Sequence, residues 1–380
     1  MPRHQILATS ATRLAIRRLT GGMSELFSPI TLRKVTFENR VVVSPMCQYS
    51  ATDGTANDWH VVNLGHFALS GPGLVFFEGT HVSPEARITP HCLGLYNDEN
   101  EAGMERVVRF VKTWTPSKIA VQLTHAGRKG STFRPSEGGG PYTGPGSWPL
   151  LAPSALRYSD ASPEPTALDD AGLQKVRDDF ADATRRAARL DIDVAELHCA
   201  HGYLMHQFLS PLSNQRTDVY GGSLENRMRF PLETFDAMRA VWPRERPLGV
   251  RISATDWVEG GWDLAQSIVF VEALKRRGCD FVDVSSGGLS PLQQIPLGPG
   301  YQVDFASEIR KATGMATMAV GMIVEPEHAE RIVANGDADF VELARGFIRD
   351  PRWTWTAADR LNAQTFAPSQ YSRGRTTQRP

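Results

Sequence analysis

Short runs of apolar residues recur along the chain, and a segment with helical periodicity follows each of them. The apolar runs lie at 41–43, 74–77, 119–123, 194–197, 248–252, 281–284, 316–320 and 340–343. Because these runs are short and nearly continuous in apolar residues, they predict strands that are buried on both faces. The intervening periodicity predicts helices at about 60–70, 98–114, 170–190, 224–242, 263–277, 302–313, 326–335 and 346–360.

Eight strands that alternate with eight helices predict an α/β fold, a single-domain (β/α)₈ TIM barrel. A doubly wound sheet is the alternative, but it needs a glycine-rich dinucleotide turn after an early strand, and the sequence has none. The segment after the third strand, from Lys129 to about Leu168, is long and rich in proline and glycine. Loops of this length are often functional, so we expect it to cap the barrel rather than to decorate its surface.

Composition and charge narrow the class of protein. The chain has 380 residues, of which 41% are hydrophobic and 22% charged, and its net charge is −1. These values suit a globular enzyme and give no indication of a nucleic-acid or membrane partner. Four widely spaced cysteines form no pairing pattern, which is typical of reduced thiols and predicts a cytoplasmic protein. They are Cys47, Cys92, Cys199 and Cys279.

Both ends of the chain are set apart from the predicted barrel, which we place at 23–366. Residues 1–22 carry four arginines and no acid and end in two glycines, and Met23 then opens a plausible fresh start. We interpret this N-terminal extension as the product of a misassigned start codon or an expression extension, with a transit-like peptide as the alternative, and place it outside the fold in each case. Residues 367–380 are predicted to form a polar, basic C-terminal tail.

Candidate chemistry collects where the predicted strands end. Active sites of TIM barrels lie at the carboxyl ends of their strands. The residues found there are Cys47, Gln48, Tyr49, Glu78, Gly79, Gln122, His125, His198, His201, Tyr203, Arg251, Ser285, Ser286, Gly321 and Arg345. Gly321 and Arg345 end strands seven and eight, whose loops bind phosphate in many barrels. The sequence therefore predicts a phosphorylated ligand.

The end of strand four carries His198, His201 and Tyr203 within six residues. Two imidazoles can hold a carbonyl oxygen with two N–H donors, and a phenol beside them can offer a proton. Two other interpretations stay open at this point. The histidines can be purely structural, or they can bind zinc with His206 or Cys199 as a third ligand, although no established zinc motif supports this.

Four motifs together resemble the old yellow enzyme family. They are SPMCQY at 44–49, QLTHAGRK at 122–129, HCAHGY at 198–203 and FLSPLSNQRTDVYGGS at 208–223. The resemblance covers about 25–375, nearly the whole predicted barrel. Cys47 and Tyr49, together with the sequence QYSR at 370–373, are similar to the thermophilic-like branch of bacterial enoate reductases.

The resemblance implies an FMN-dependent ene-reductase. FMN would be bound non-covalently and reduced by NADPH or NADH in a ping-pong cycle. The flavin N5 would then give hydride to the β-carbon of an alkene conjugated to a carbonyl or nitro group, and a proton would reach the α-carbon.

The resemblance also assigns roles to residues of this chain. Cofactor residues would line the flavin ring, bond its pyrimidine end or hold its phosphate: Ser44, Pro45, Met46, Cys47, Gly79, Gln122, Arg251, Gly321, Ala344 and Arg345. Substrate residues would contact the substrate or carry its proton: Tyr49, His198, His201, Tyr203 and Arg373. Among these, Tyr203 would be the proton donor and Cys47 would tune the flavin. Arg373 would reach a partner subunit's active site, in a homodimer or a dimer-based tetramer.

Two other function classes remain as alternatives. One is a metal-dependent TIM-barrel hydrolase that uses His198, His201 and Glu78. The other is a non-catalytic barrel that only binds a phosphorylated ligand.

Overall fold

Eight parallel strands close into a barrel in the computed structural model, which describes residues 24–374. The barrel strands are β3 (Val41–Val43), β4 (Leu74–His81), β5 (Lys118–Thr124), β8 (Val194–Cys199), β9 (Leu248–Ser253), β10 (Phe281–Ser285), β11 (Ala316–Ala319) and β12 (Phe340–Leu343). They pair in this order, and β12 returns to β3. Two small sheets stand outside the barrel: the hairpin β1 (Ile30–Leu32) and β2 (Val35–Phe37), and the pair β6 (Leu151–Ala152) and β7 (Thr166–Ala167). The predicted TIM barrel is confirmed.

Helices follow the barrel strands as the periodicity predicted. They are α1 (Asp58–Ala68), α2 (Asp98–Trp114), α3 (Asp170–Arg189), α4 (Leu204–Leu209), α5 (Leu224–Val241), α6 (Leu264–Arg276), α7 (Val303–Thr313), α8 (Pro326–Ala334), α9 (Arg345–Arg349) and α10 (Trp353–Arg360). Side-chain caps start several of them, as where Asp169 accepts a hydrogen bond from the Gly172 amide. The single helix predicted at 346–360 is two helices, because Pro351 cannot continue the first.

The inside of the barrel is built in layers, because every second residue of a strand points inward. The lower layer is apolar and packs around Phe37 of the hairpin: Val42, Leu74, Phe76, Ala120, Val194, Phe281, Met318 and Phe340. The next inward-facing layer lies two residues further along the strands and is polar: Ser44, Gln122, Glu196, Arg251, Asp283 and Glu342. This polar layer forms the floor beneath the carboxyl ends of the strands.

The segment predicted to cap the barrel is tied down by a buried arginine. Arg128 donates hydrogen bonds to the carbonyls of Leu156 and Arg157 in this segment and to that of Leu289 in the loop after β10. The long segment after β5 is therefore joined to the loop after β10 through one side chain.

The two termini are described in part. At the C-terminal end, Ser369–Gly374 forms a short 3₁₀ helix, and the Tyr371 ring lies 5.1 Å from the guanidinium of Arg352 and 6.1 Å from the Trp355 ring. The predicted N-terminal extension at 1–22 lies outside the described residues. Within 24–374, no helix is long and apolar enough to cross a membrane.

Candidate active site

The two histidines after β8 face each other across a short gap. His198 Nε2 lies 3.3 Å from His201 Nδ1. His198 Nδ1 accepts a hydrogen bond from the Ala200 amide, so the proton of this ring is on Nε2. Burial lowers the pKa of both rings well below the usual value, and the other cations nearby lower it further. Both imidazoles are therefore neutral at ordinary pH.

The backbone of this loop adopts an uncommon conformation. His201 and Gly202 both have positive φ, 60° and 73°. A Cβ at Gly202 would lie 2.2 Å from the Gly288 carbonyl oxygen, so only glycine fits there. Lys129 donates hydrogen bonds to both the His201 and Gly288 carbonyls, and Ser253 Oγ accepts one from the His201 amide. These contacts hold a non-glycine residue in the left-handed region, a conformation that is common at functional sites.

His206 supports the loop from behind. Its Nδ1 accepts a hydrogen bond from the Gly202 amide, and its Nε2 lies 2.8 Å from Asp256 Oδ1. Both side chains are fully buried. His206, proposed above as a third zinc ligand, is instead occupied by Asp256 and the backbone. Within 24–374, no three His, Cys, Asp or Glu side chains form a group that could hold a metal ion.

The metal-dependent hydrolase alternative needs His198, His201 and Glu78 as one group of metal ligands, and the structure does not bring these three side chains together. Glu78 lies 3.4 Å from His60 and accepts a hydrogen bond from the Gln48 amide, so it supports the loop after β3. In place of a carboxylate, the histidine pair has a hydroxyl as its neighbour. His201 Nε2 lies 2.8 Å from Ser285 Oγ.

Tyr203 lies beside the histidine pair with its ring edge-on to His198, 5.0 Å between centroids. Burial raises the pKa of this phenol well above its usual value, and neighbouring cysteines and tyrosines add to the effect. Tyr203 therefore keeps its proton across the physiological range. Tyr49 and Cys47 pack with Tyr203 around one small apolar cluster, as the sequence analysis expected of residues at one mouth.

Polar groups at the other side of the mouth fit the pyrimidine end of a flavin. Gln122 donates its amide hydrogen to Glu196 at 2.8 Å, which leaves the amide oxygen directed towards Gly79. A Cβ built on Gly79 would lie 3.6 Å from this oxygen. Arg251 is bound to carboxylates through Nε and Nη2, whereas its Nη1 group contacts only Ser44 Oγ, at 3.4 Å, among residues 24–374. One acceptor and one cationic donor are thus left to a ligand.

The ends of β11 and β12 fit a phosphate. Gly321 has φ of +131°, and a Cβ there would lie 3.1 Å from the Gln302 amide nitrogen. Arg345 is exposed and forms no ion pair within 24–374, and Ala344 leads into it from β12. An exposed cation at the end of β12, with a glycine of positive φ at the end of the neighbouring β11, suits a bound anion.

Several residues of the site were missed by the sequence analysis. Glu196, Asp283 and Glu342 are inward-facing acids in strands that are otherwise apolar. Buried charged residues are rare unless they are paired, so an acid at an inward position of such a strand was a usable signal. Lys129, by contrast, carried no signal, because its two carbonyl partners come from loops that are distant in sequence.

Comparison with known proteins decides the family. Residues 25–364 match the model of the NADH:flavin oxidoreductase / NADH oxidase family. The chain belongs to this family, the old yellow enzyme family. NADPH dehydrogenase of Geobacillus thermodenitrificans is 43% identical over 351 residues, covering 92% of this chain and 98% of that protein. NADPH dehydrogenase of Bacillus subtilis is 42% identical over 352 residues, covering 92% and 99%.

Comparison of this old yellow enzyme family member with a solved structure supports the same assignment. Morphinone reductase superposes with a TM-score of 0.75 at 29% identity, covering 91% of this chain and 92% of that protein. The protein is therefore an NAD(P)H-dependent flavin oxidoreductase with FMN as its cofactor. The acceptor at Gln122, the cation at Arg251 and the free Arg345 are consistent with that cofactor.

Proposed function

We propose that this enzyme reduces carbon–carbon double bonds conjugated to a carbonyl or nitro group. The observation that carries the proposal is the pair of neutral imidazoles, with nitrogens 3.3 Å apart, beside a phenol that keeps its proton. When bound, FMN supplies the hydride that it has taken from NADPH or NADH. Substrates of this class are enones, enals, maleimides and nitroalkenes.

The histidine pair polarises the substrate. An electronegative oxygen placed between His198 Nε2 and His201 Nδ1 receives two hydrogen bonds, provided that both nitrogens carry protons. His201 meets this condition if its Nε2 accepts the proton of the Ser285 hydroxyl, 2.8 Å away. Both donors then stabilise the negative charge that develops on the oxygen as the β-carbon is reduced. Fixed donors in a buried site are worth more than the same donors in water.

Tyr203 completes the reaction as the general acid. Its phenol lies beside His198, so it is close to a substrate held by the histidine pair. A proton delivered from it to the α-carbon completes reduction of the double bond. Tyr49 packs in the same apolar cluster, which supports a role for it in contacting the substrate.

The remaining residues hold the cofactor. The backbone at 44–47 and Gly79 line the flavin ring, and Cys47 tunes the midpoint potential of the flavin. Gln122 and Arg251 bond its pyrimidine end. Gly321, Ala344 and Arg345 hold its phosphate. The free amide oxygen of Gln122 and the Nη1 group of Arg251 support the role at the pyrimidine end, and the exposed Arg345 supports the phosphate role.

We also propose a homodimer, or a tetramer built from dimers, in which Arg373 enters the partner's active site. Tyr371 packs on Arg352 and Trp355, which fixes the 369–374 segment against its own chain, while Arg373 itself is exposed. A mixing experiment tests this arrangement. An Arg373→Ala chain and a Tyr203→Phe chain, exchanged into heterodimers, restore one intact site, so activity recovers in part. No recovery despite demonstrated subunit exchange would contradict the proposal.

The four cysteines are all free in the structure, which supports our proposal of a reducing, cytoplasmic location.

Activity is tested with separated half-reactions. Purified protein is reduced anaerobically with NADPH or NADH and then mixed with 2-cyclohexenone. We expect flavin reduction followed by reoxidation and formation of the saturated ketone. A flavin-free protein whose hydrolase activity depends on added zinc would instead support the metal-dependent alternative.

A further inference from the structure

Arg251 in the floor of the site is enclosed by two acids from other strands. Its Nε lies 3.0 Å from Asp283 Oδ2 on β10, and its Nη2 lies 2.9 Å from Glu342 Oε2 on β12. All three side chains are buried. The Ser44 hydroxyl lies 3.4 and 3.5 Å from two nitrogens of the same guanidinium and stabilises the charged form of Glu342. The ion pair therefore lies at the end of β3, under the backbone proposed to line the flavin.

The three acids of this layer share a single cation, Arg251. Burial raises the pKa of all three acids, and Arg251 opposes the rise in each. The pKa of Glu196 reaches about 8. For Asp283, repulsion from Glu342 and Glu196 raises the pKa further, as does a hydrogen bond that its protonated form donates to Glu342. Asp283 and Glu342, the two acids in contact with Arg251, are therefore the groups whose negative charge can offset it, whereas the pKa of Glu196 lies above neutral pH.

This pairing changes what Arg251 can do for the cofactor. Reduction places negative charge at the pyrimidine end of FMN, and an unpaired arginine there would stabilise that charge strongly. A carboxylate 2.9 Å from the same guanidinium cancels much of its field. The Nη1 group can still donate a hydrogen bond, so binding of the ring is retained while the preference for its reduced form is weakened.

We propose that Glu342, together with Asp283, lowers the midpoint potential of bound FMN by neutralising Arg251. The inference rests on the proposed function only in placing Arg251 at the pyrimidine end of FMN. Glu342 acts through Arg251 and does not touch the substrate, so it is a positioning residue. Its effect is to make the reduced cofactor a stronger hydride donor than an uncompensated arginine would allow.

The test compares the FMN potentials of the holoenzyme and of its variants. The variants are Glu342→Gln, Asp283→Asn and the double variant, each titrated anaerobically against a reference dye. Both substitutions keep the size of the side chain and remove its charge. The control is Glu225→Gln, which makes the same change at an exposed position of α5.

We expect the double variant to hold reduced FMN about tenfold more tightly, relative to oxidised FMN, than the wild type. For a two-electron couple this is a rise of about 30 mV. Each single variant should shift in the same direction by less, because the remaining carboxyl can ionise and pair with Arg251. The control should stay at the wild-type potential.

Two results would overturn the inference. One is an unchanged or lower potential in the double variant or, should that variant lose FMN, in both single variants. The other is loss of FMN by both single variants with unaltered thermal unfolding, because the acids would then hold the cofactor rather than set its potential. A wild-type protein that binds no FMN would contradict the proposed function instead, which keeps the two failures distinguishable.

Discussion

His201 Nε2 lies 2.8 Å from the hydroxyl of Ser285, and this contact determines which nitrogen of His201 can serve the substrate. If the hydroxyl donates to Nε2, the ring proton must be on Nδ1, the nitrogen that faces His198. The last residue of β10 thus controls a donor that is carried by the loop after β8.

Replacing Ser285 with alanine should weaken this donor. Without a hydroxyl to donate to Nε2, the ring can carry its proton there, and one of the two hydrogen bonds to the substrate oxygen is lost. We expect a dissociation constant for a phenolate ligand, 4-hydroxybenzaldehyde, that is about tenfold higher, since one hydrogen bond contributes about 1–1.5 kcal/mol. The matched control is Ser286→Ala, because both hydroxyls have Gln302 as a hydrogen-bond partner but only that of Ser285 contacts His201. Equal losses in the two variants would remove Ser285 from this role.

Tyr203→Phe should separate the two half-reactions. Reduction of the enzyme by NADPH should remain near the wild-type rate, while the rate of reoxidation by an enone should fall by about 10²–10⁴, the usual contribution of a general acid. Because the pKa of Tyr203 is raised, the wild-type rate should show no loss of this acid up to about pH 10. Stopped-flow measurement of both steps checks this prediction, with Tyr220→Phe as a control, because the half-buried Tyr220 hydroxyl bonds Arg177 and Glu233 instead.

Gly321→Ala should weaken FMN binding. The substitution forces a side chain into φ of +131° and into contact with Gln302, at a cost of about 1–3 kcal/mol. The FMN dissociation constant should rise by about 5–150-fold, as measured by flavin fluorescence after ultrafiltration. Gly298→Ala serves as control, because a Cβ there meets no atom within 4 Å and its φ is not positive. Unchanged binding in Gly321→Ala would contradict a phosphate site at this position.

Stability should fall as the pH is lowered through the normal histidine range. Burial lowers the pKa of His125 to about 4 and that of His81 to about 3, whereas unfolded histidine titrates near 6.5. The unfolded chain therefore binds more protons below about pH 6.5, so the stability present above this pH is lost as pH falls towards the folded values. At pH 5 each of these two histidines lowers the free energy of unfolding by about 2 kcal/mol relative to its value above pH 6.5.

Chemical denaturation at pH 7 and pH 5 checks this linkage. His125→Gln should reduce the loss of unfolding free energy between the two pH values, and the control His91→Gln should not. Equal pH dependence in wild type and His125→Gln would show that His125 does not contribute.

The fold could be predicted from the sequence because each barrel strand is a short apolar run and each helix has a clear period. The hairpin of β1 and β2 was missed, since each of its three-residue strands has a threonine in the middle and is not a continuous apolar run as β3 is. The helix α4 was also missed, because its six residues follow directly on the histidine loop and are all buried, which leaves no amphipathic pattern.

Position along the chain was enough to predict which site residues lie at strand ends. It was not enough to predict which side chains these residues contact. His198, His201 and Tyr203 were found because they follow one strand. Ser285 was noted only as a strand end, and its contact with His201 depends on how two loops distant in sequence come together. The acid Glu342 was overlooked, since nothing local indicates that it would face Arg251 across the barrel.

The central claim is that bound flavin passes hydride to an activated alkene under the control of the histidine pair. The most direct measurement is an anaerobic titration of the NADPH-reduced holoenzyme with 2-cyclohexenone, followed by product analysis, for the wild type and for a variant with both His198 and His201 replaced by alanine. The account predicts that one equivalent of enone reoxidises the wild-type flavin and yields the saturated ketone, while the variant binds and reduces FMN but does not turn over the enone. A reduced wild-type flavin that the enone leaves unoxidised, or a variant that reacts as fast as the wild type, would contradict it.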